Sequence, residues 1–204
     1  MKNAADDLNP PAWAEAVLRA VVRPEHRESV SGDLLEEYRE SIAPALGQRR
    51  ADAWYVRQVA GFLWRATWPW GVLFGAAGTI RSALDWFVPP ETFYTRASLT
   101  TYFAISLFLA AGFWTSWWSR SLRASALAGI GTAVIAAAIH LAGTAVMLAV
   151  WHDPQTLGAI QRSGGLSEAL TLPIVVILPA AFLATIGGVV GKSAASLFRS
   201  HAAE

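Results

Sequence analysis

Three ionisable side chains stand where such groups are costly. His140 falls close to the middle of an apolar stretch running from about Ser125 to Trp151, and Arg81 and Asp85 close a shorter stretch that begins at Ala66. Ionisable residues within a membrane-length apolar run mark ligand, ion or proton pathways. An imidazole at that depth gates on pH or carries a proton. It is equally accounted for by one hydrogen bond to a Ser, a Thr or a carbonyl of a neighbouring helix. Arg81 and Asp85 are four apart, one helical turn, and pair on one helix face. Such a pair lines an outer vestibule, or it only anchors the helix with its arginine snorkelling to the interface. Haem would want a second buried histidine; His152 lies twelve residues on, at the outer surface.

Other constellations lead less far. His26, Asp33 and Glu37 sit at intervals of seven and four, near one face of a continuous helix. Such a set holds a divalent metal in principle; it also describes an ordinary solvated face, and Gly32 is expected to break the register. The run Gly187-Gly188-Val189-Val190-Gly191-Lys192-Ser193 mimics a phosphate loop, but Gly187 leaves three residues before Gly191 where four are needed, position 186 is Ile, and no strand precedes it. Lys192 reads instead as an anchor on the inner side. There is no cysteine, no His-Glu-x-x-His helix, no nucleophile with its base and no dinucleotide glycine pattern. The expectation is a chain without enzymatic activity, cofactor or metal.

The elements that carry these residues divide in two. Of 204 residues, 54% are apolar and 15% charged, and the charge is unevenly placed. Residues 1–67 hold 10 of the 15 acids and 9 of the 16 bases. Net charge is +1, which excludes nucleic acid as the main partner. The acidic start at Asp6 and Asp7, with no apolar run behind a basic segment, is unlike a cleaved signal peptide. Beyond the first third, four stretches are long enough to cross a bilayer: 66–88, 99–118, 125–151 and 168–191. Trp64, Trp68 and Trp70 open the first and Trp86 closes it; Trp114, Trp117 and Trp118 end the second, and Trp151 the third. This is where an aromatic belt belongs. Thirteen Lys and Arg fall in the N-terminal segment, the loop with Arg120 and Arg123, and the tail with Lys192 and Arg199; three (Arg81, Arg96, Arg162) fall in the other two loops. That bias places both termini in the cytoplasm.

Small residues recur every four positions: Gly71, Gly75 and Thr79; Ala124 through Thr144; Ala180, Ala184 and Gly188. Such faces bring helix backbones together in lipid, within one bundle or between copies in a homo-oligomer. Pro173 and Pro179 are expected to kink the fourth span.

The N-terminal third reads as three helices. The first starts at Pro11, the second near Pro24, restarting after Gly32 with a capping-box-like Asp33 and Glu36. Val30, Leu34, Tyr38 and Ile42 give it an apolar stripe before Pro44 and Gly47 stop it. The third runs from Gln48 towards the first span, with Arg49, Arg50, Arg57 and Arg65 placed to reach lipid phosphates. The blocks Pro24-Glu25-His26-Arg27-Glu28-Ser29-Val30-Ser31-Gly32-Asp33-Leu34-Leu35-Glu36-Glu37-Tyr38 and Ala53-Trp54-Tyr55-Val56-Arg57-Gln58-Val59 resemble the bacterial permease prefix domain, which precedes the spans of some FtsX/MacB-like permeases of ABC exporters. The resemblance covers about residues 10–65, and the large periplasmic domain and later permease spans of that family have no counterpart here. It implies a docking or regulatory head, with Asp33, Glu36, Glu37, Tyr38, Trp54 and Arg57 as candidate docking residues and ABC permease or ATPase subunits as partners.

The expected architecture is therefore all-α: a three-helix cytoplasmic domain (1–65), a four-helix transmembrane bundle (66–191) and a cytoplasmic tail (192–204), multi-pass in a bacterial inner membrane. The lipid bilayer is its first partner. The leading functional expectation is a non-enzymatic component of export machinery. The alternatives are a small oligomeric transporter or channel that uses His140, and a sensor of membrane state.

Overall fold

A computed structural model describes residues 8–151 and 153–200. Asp6, Asp7 and His152 lie outside the described residues, as does the end of the tail. Every regular element among the described residues is helical.

The head begins with α1 (Ala12–Val21), entered through Pro11. Arg23 precedes Pro24 and is therefore extended (φ −57°, ψ 141°), which turns the chain before a short 3-10 turn, Pro24–His26. Helix α2 (Arg27–Glu37) then passes through Gly32 without interruption. No restart occurs at Asp33, so the capping-box reading fails: a glycine inside a helix is a modest penalty, and packing around it outweighs it. A π-turn over Tyr38–Ile42 follows, leading into the single turn α3 (Ala43–Leu46). Pro44 explains the widening, because its ring would crowd the carbonyl four residues back in a regular α-helix. Gly47 (φ +76°) ends α3 in the left-handed region.

Helix α4 (Gln48–Phe87) is 40 residues long and unbroken, despite Pro69. At 1.5 Å per residue it spans about 60 Å. Its first half completes the head: Ala14, Leu18 and Val22 of the α1 segment pack against Tyr38, Ala43, Ala51, Tyr55 and Val59. Tyr38 and Tyr55 meet edge to face at 5.9 Å and 88°.

The body comprises the second half of α4, α5 (Tyr94–Ser119), α6 (Leu122–Val150), α7 (Pro154–Arg162), α8 (Gly165–Val175) and α9 (Ile177–Ser200). Three helical stretches are long and apolar enough to cross a membrane: Tyr94–Ser119, Leu122–Val150 and Gly165–Phe198. The stretch 66–88 of α4 is not among them, diluted by Trp68, Pro69, Trp70, three glycines and the Arg81–Asp85 pair. The fourth expected span divides at Val176, between Pro173 and Pro179, into α8 and α9, and α9 continues through Lys192 to Ser200.

Backbone contact holds the body together. A Cβ on Gly71 would lie 2.6 Å from the Ile135 Cβ, and one on Gly75 would lie 2.8 Å from the Ile139 Cβ. Only glycine lets α4 lie this close to α6. The carbonyls of Ala184 and Leu109 occupy the space a Cβ would need at Gly112 and Gly187, so α5 and α9 touch backbone to backbone. The small-residue faces are thus used inside one chain. Phe182, Val189 and Val190 on the outer side of α9 are exposed. The loop after α6 contains a helix that periodicity did not suggest, α7. Asp153 caps it by accepting from the Gln155 and Thr156 amides at 3.0 Å each, with Pro154 at the first position.

Candidate functional site

The sequence separates His140 from Arg81 and Asp85 by nearly sixty residues; the fold brings them to one cavity. It has a volume of about 110 Å³ and lies at the end of the body remote from the head. Helix α4 contributes Phe74, Gly78, Arg81, Ser82, Asp85 and Trp86; α6 contributes His140. Ser163, Gly165 and Glu168 close it from the α7–α8 side, and Thr100 from α5. Gly164 (φ +115°) and Gly165 (φ +79°) make the sharp left-handed turn between α7 and α8.

Asp85 is 3% exposed. Its Oδ2 accepts from Arg81 Nε at 3.2 Å and its Oδ1 from Arg96 Nη1 at 3.2 Å. The same Arg96 nitrogen donates to the Leu84 and Val88 carbonyls, both at 2.9 Å. Those carbonyls sit at the C-terminus of α4, where orphan acceptors and the helix dipole favour a cation. Arg96 entered the sequence reading only as a topological charge. Its part here comes from the turn at Pro89–Phe93 folding α5 back beside α4, which no local pattern reveals. His140 lies against Gly78, where a Cβ would approach its Nδ1 to 3.0 Å. Among the described residues the imidazole makes no hydrogen bond.

The head residues separate differently. Asp33, Glu36 and Glu37 are exposed on α2, and Arg57 is exposed on α4. Trp54 is half-buried against the head core. Tyr38 is fully buried; its hydroxyl donates to Asp52 Oδ1 at 2.6 Å and accepts from Gln48 Nε2 at 2.7 Å. It therefore offers no surface for docking. Burial, then the Asp52 carboxylate, pushes its phenol well above the usual range. His26, Asp33 and Glu37 do not converge: no three His, Asp or Glu side chains are placed to hold a metal among the described residues.

Glu15, which the sequence did not single out, ties the head together. It accepts from Ser31 Oγ at 2.5 Å, from Arg19 Nε at 2.6 Å and from the Tyr55 hydroxyl, joining α1, α2 and α4. Burial works to raise its carboxyl, and the bonds from Ser31, Tyr55 and Arg19 outweigh it, leaving Glu15 below the usual carboxylate range. Tyr55 is pushed up by burial and by Glu15.

Two arginines fasten this head to the body. Arg27 Nη2 donates to the Ser119 carbonyl at 3.3 Å and to the Val22 carbonyl at 3.4 Å. The Arg23 guanidinium lies 4.1 Å over the Trp118 ring. Both meet the turn between α5 and α6, where Arg120 takes a left-handed φ of +56° and Ser121 caps α6. Below it, the Ser116 and Ser125 hydroxyls are 2.5 Å apart and buried. No protein-family model matches the chain, and no curated protein or solved structure matches it significantly.

Proposed function

We propose that this chain is a four-span inner-membrane protein, both ends cytoplasmic, whose helical head docks a component of an export machine. The observation that carries the reading is three acidic residues of α2, Asp33, Glu36 and Glu37, left exposed on a head that meets the body through Arg23 and Arg27. The tryptophan positions and the thirteen-to-three partition of basic residues support the topology. For the second half of α4 as a fourth span, support comes from its close packing on α6 through Gly71 and Gly75. The resemblance of residues 10–65 to the permease prefix domain supports an ABC permease or ATPase as the partner.

The test is crosslinking of the intact protein in its native membrane, followed by capture in detergent. An ATPase or permease subunit is expected, with recovery reduced at least severalfold in the triple variant Asp33→Lys, Glu36→Lys, Glu37→Lys. Equal recovery from wild type and triple variant, or no recovery of such a subunit, rejects the reading. A second reading, a sensor that relays bilayer state to the head, is favoured by one feature: α4 runs unbroken from the head core to the cavity. Deleting residues 1–47 would then abolish output while insertion persists.

A further inference from the structure

The cavity at the far end of α4 is lined by hydrogen-bond donors that have no partner among the described residues. Among the described residues Arg81 uses its Nε alone, on Asp85, which leaves both terminal nitrogens of its guanidinium uncommitted. Among the described residues His140 makes no hydrogen bond, and neither does the Ser82 hydroxyl; all three residues line the void. Asp85 is the carboxylate nearest to hand, but each of its oxygens is already engaged by an arginine. It therefore does not draw a cation into the space. Glu168 is the other carboxylate of the wall, and it is exposed. The Thr100 and Ser163 hydroxyls are turned back onto the carbonyls of Arg96 and Ile160. Polar groups enclosed by protein seek partners, and donors without acceptors select a ligand that brings acceptors.

The remaining wall is apolar: Phe74, Trp86, Leu172 and Val176. A guanidinium beside a carboxylate ligand forms the strong, bidentate class of hydrogen bond, whereas apolar walls favour a hydrocarbon body. Size limits that body. The void of about 110 Å³ is smaller than the engineered apolar cavity of about 150 Å³ that admits benzene.

We propose that this cavity binds a short-chain organic carboxylate, with Arg81 and His140 holding the carboxylate and Phe74, Trp86, Leu172 and Val176 enclosing its hydrocarbon end. The site needs no second chain and no metal. It is independent of the docking reading, since a head that captures no partner leaves the cavity unchanged.

Two sources of such a carboxylate exist, a free acid in water and a fatty acid from the bilayer, and the test separates them. The full chain is placed in phosphatidylcholine nanodiscs, and binding of labelled butyrate is measured by equilibrium dialysis, with palmitate and ethylammonium in parallel arms. Saturable binding of butyrate is expected, with ethylammonium bound no better than by empty discs. Arg81→Gln should weaken butyrate at least about tenfold, the loss of a charge-assisted bidentate contact. Arg96 still neutralises Asp85 in that variant, and a melting curve checks that it is folded. Ser82→Ala, which removes a hydroxyl with no protein partner, should weaken binding severalfold without moving the melting temperature. Saturable binding of palmitate alone, preference for ethylammonium, or butyrate affinities equal in wild type and both variants would overturn the proposal.

Discussion

The guanidinium of Arg27 reaches the carbonyl of Ser119, 92 residues away, at 3.3 Å. Ser119 is the last residue of α5, so this carbonyl is one of the acceptors that a helix end leaves without an intrahelical partner. The head therefore closes an open valence of the body. Replacing Arg27 with Ala should cost about 1.5–3 kcal/mol, the usual range for a hydrogen bond to a charged group. Faster hydrogen exchange confined to α1, α2 and the α5–α6 turn is the expected signature; unchanged exchange there would show that the contact does not hold the two parts.

Glu15 makes head stability depend on pH. Its folded-state value is lowered, so its contribution is complete above the unfolded value of about 4.3 and fades as pH falls through the folded value. Thermal melts of the full chain should show wild type losing its advantage over Glu15→Gln on acidification in that window, with a constant advantage at neutral pH. Tyr55→Phe should reduce neutral-pH stability by about 1–2 kcal/mol by removing one of the three donors.

Asp85 sits between Arg81 and Arg96 with almost no exposure. Asp85→Asn strands two guanidiniums in a partly enclosed site and is expected to cost about 3 kcal/mol, since removing one partner leaves uncompensated charge. The double variant Asp85→Asn, Arg81→Gln should recover part of that loss. Melting temperature in detergent distinguishes the two; a double variant worse than the single would remove Asp85 from its bridging role.

Gly112 and Gly187 permit the backbone contact between α5 and α9. Alanine at either position must force the helices apart, an overpacking cost of about 1–3 kcal/mol. Alanine at Gly61, where a Cβ meets nothing within 4 Å, is the control and should be neutral or slightly stabilising. Equal melting temperatures for Gly112→Ala and Gly61→Ala would mean the close approach is not required.

Sequence alone placed much of this. Apolar length put α5 and α6 within a few residues of their observed bounds, and the proline pair put the break in the last span between positions 173 and 179. Pro24 and Gly47 punctuate the head where expected because both act on local φ and ψ. The restart expected after Gly32 fails because tertiary packing outweighs the glycine, and Pro44, expected to help stop the helix, instead widens the turn before it while the chain stays helical to Leu46. The site was half legible. Arg81 with Asp85 was visible as a one-turn pair, whereas Arg96, Glu168 and the juxtaposition of His140 depend on how α5, α6 and α8 fold back. Glu15 and Tyr55, 40 residues apart, carry no local signal at all.

Helix α4 has Tyr55 fixed in the head core and Asp85 fixed in the cavity wall, with no break between them. Pro69 removes one backbone hydrogen bond inside it without ending the helix, so a disturbance at one end is carried along a continuous element. Tilting or twisting it at the Tyr55 end displaces the Asp85 end, so the head core and the cavity wall move as the two arms of a single lever.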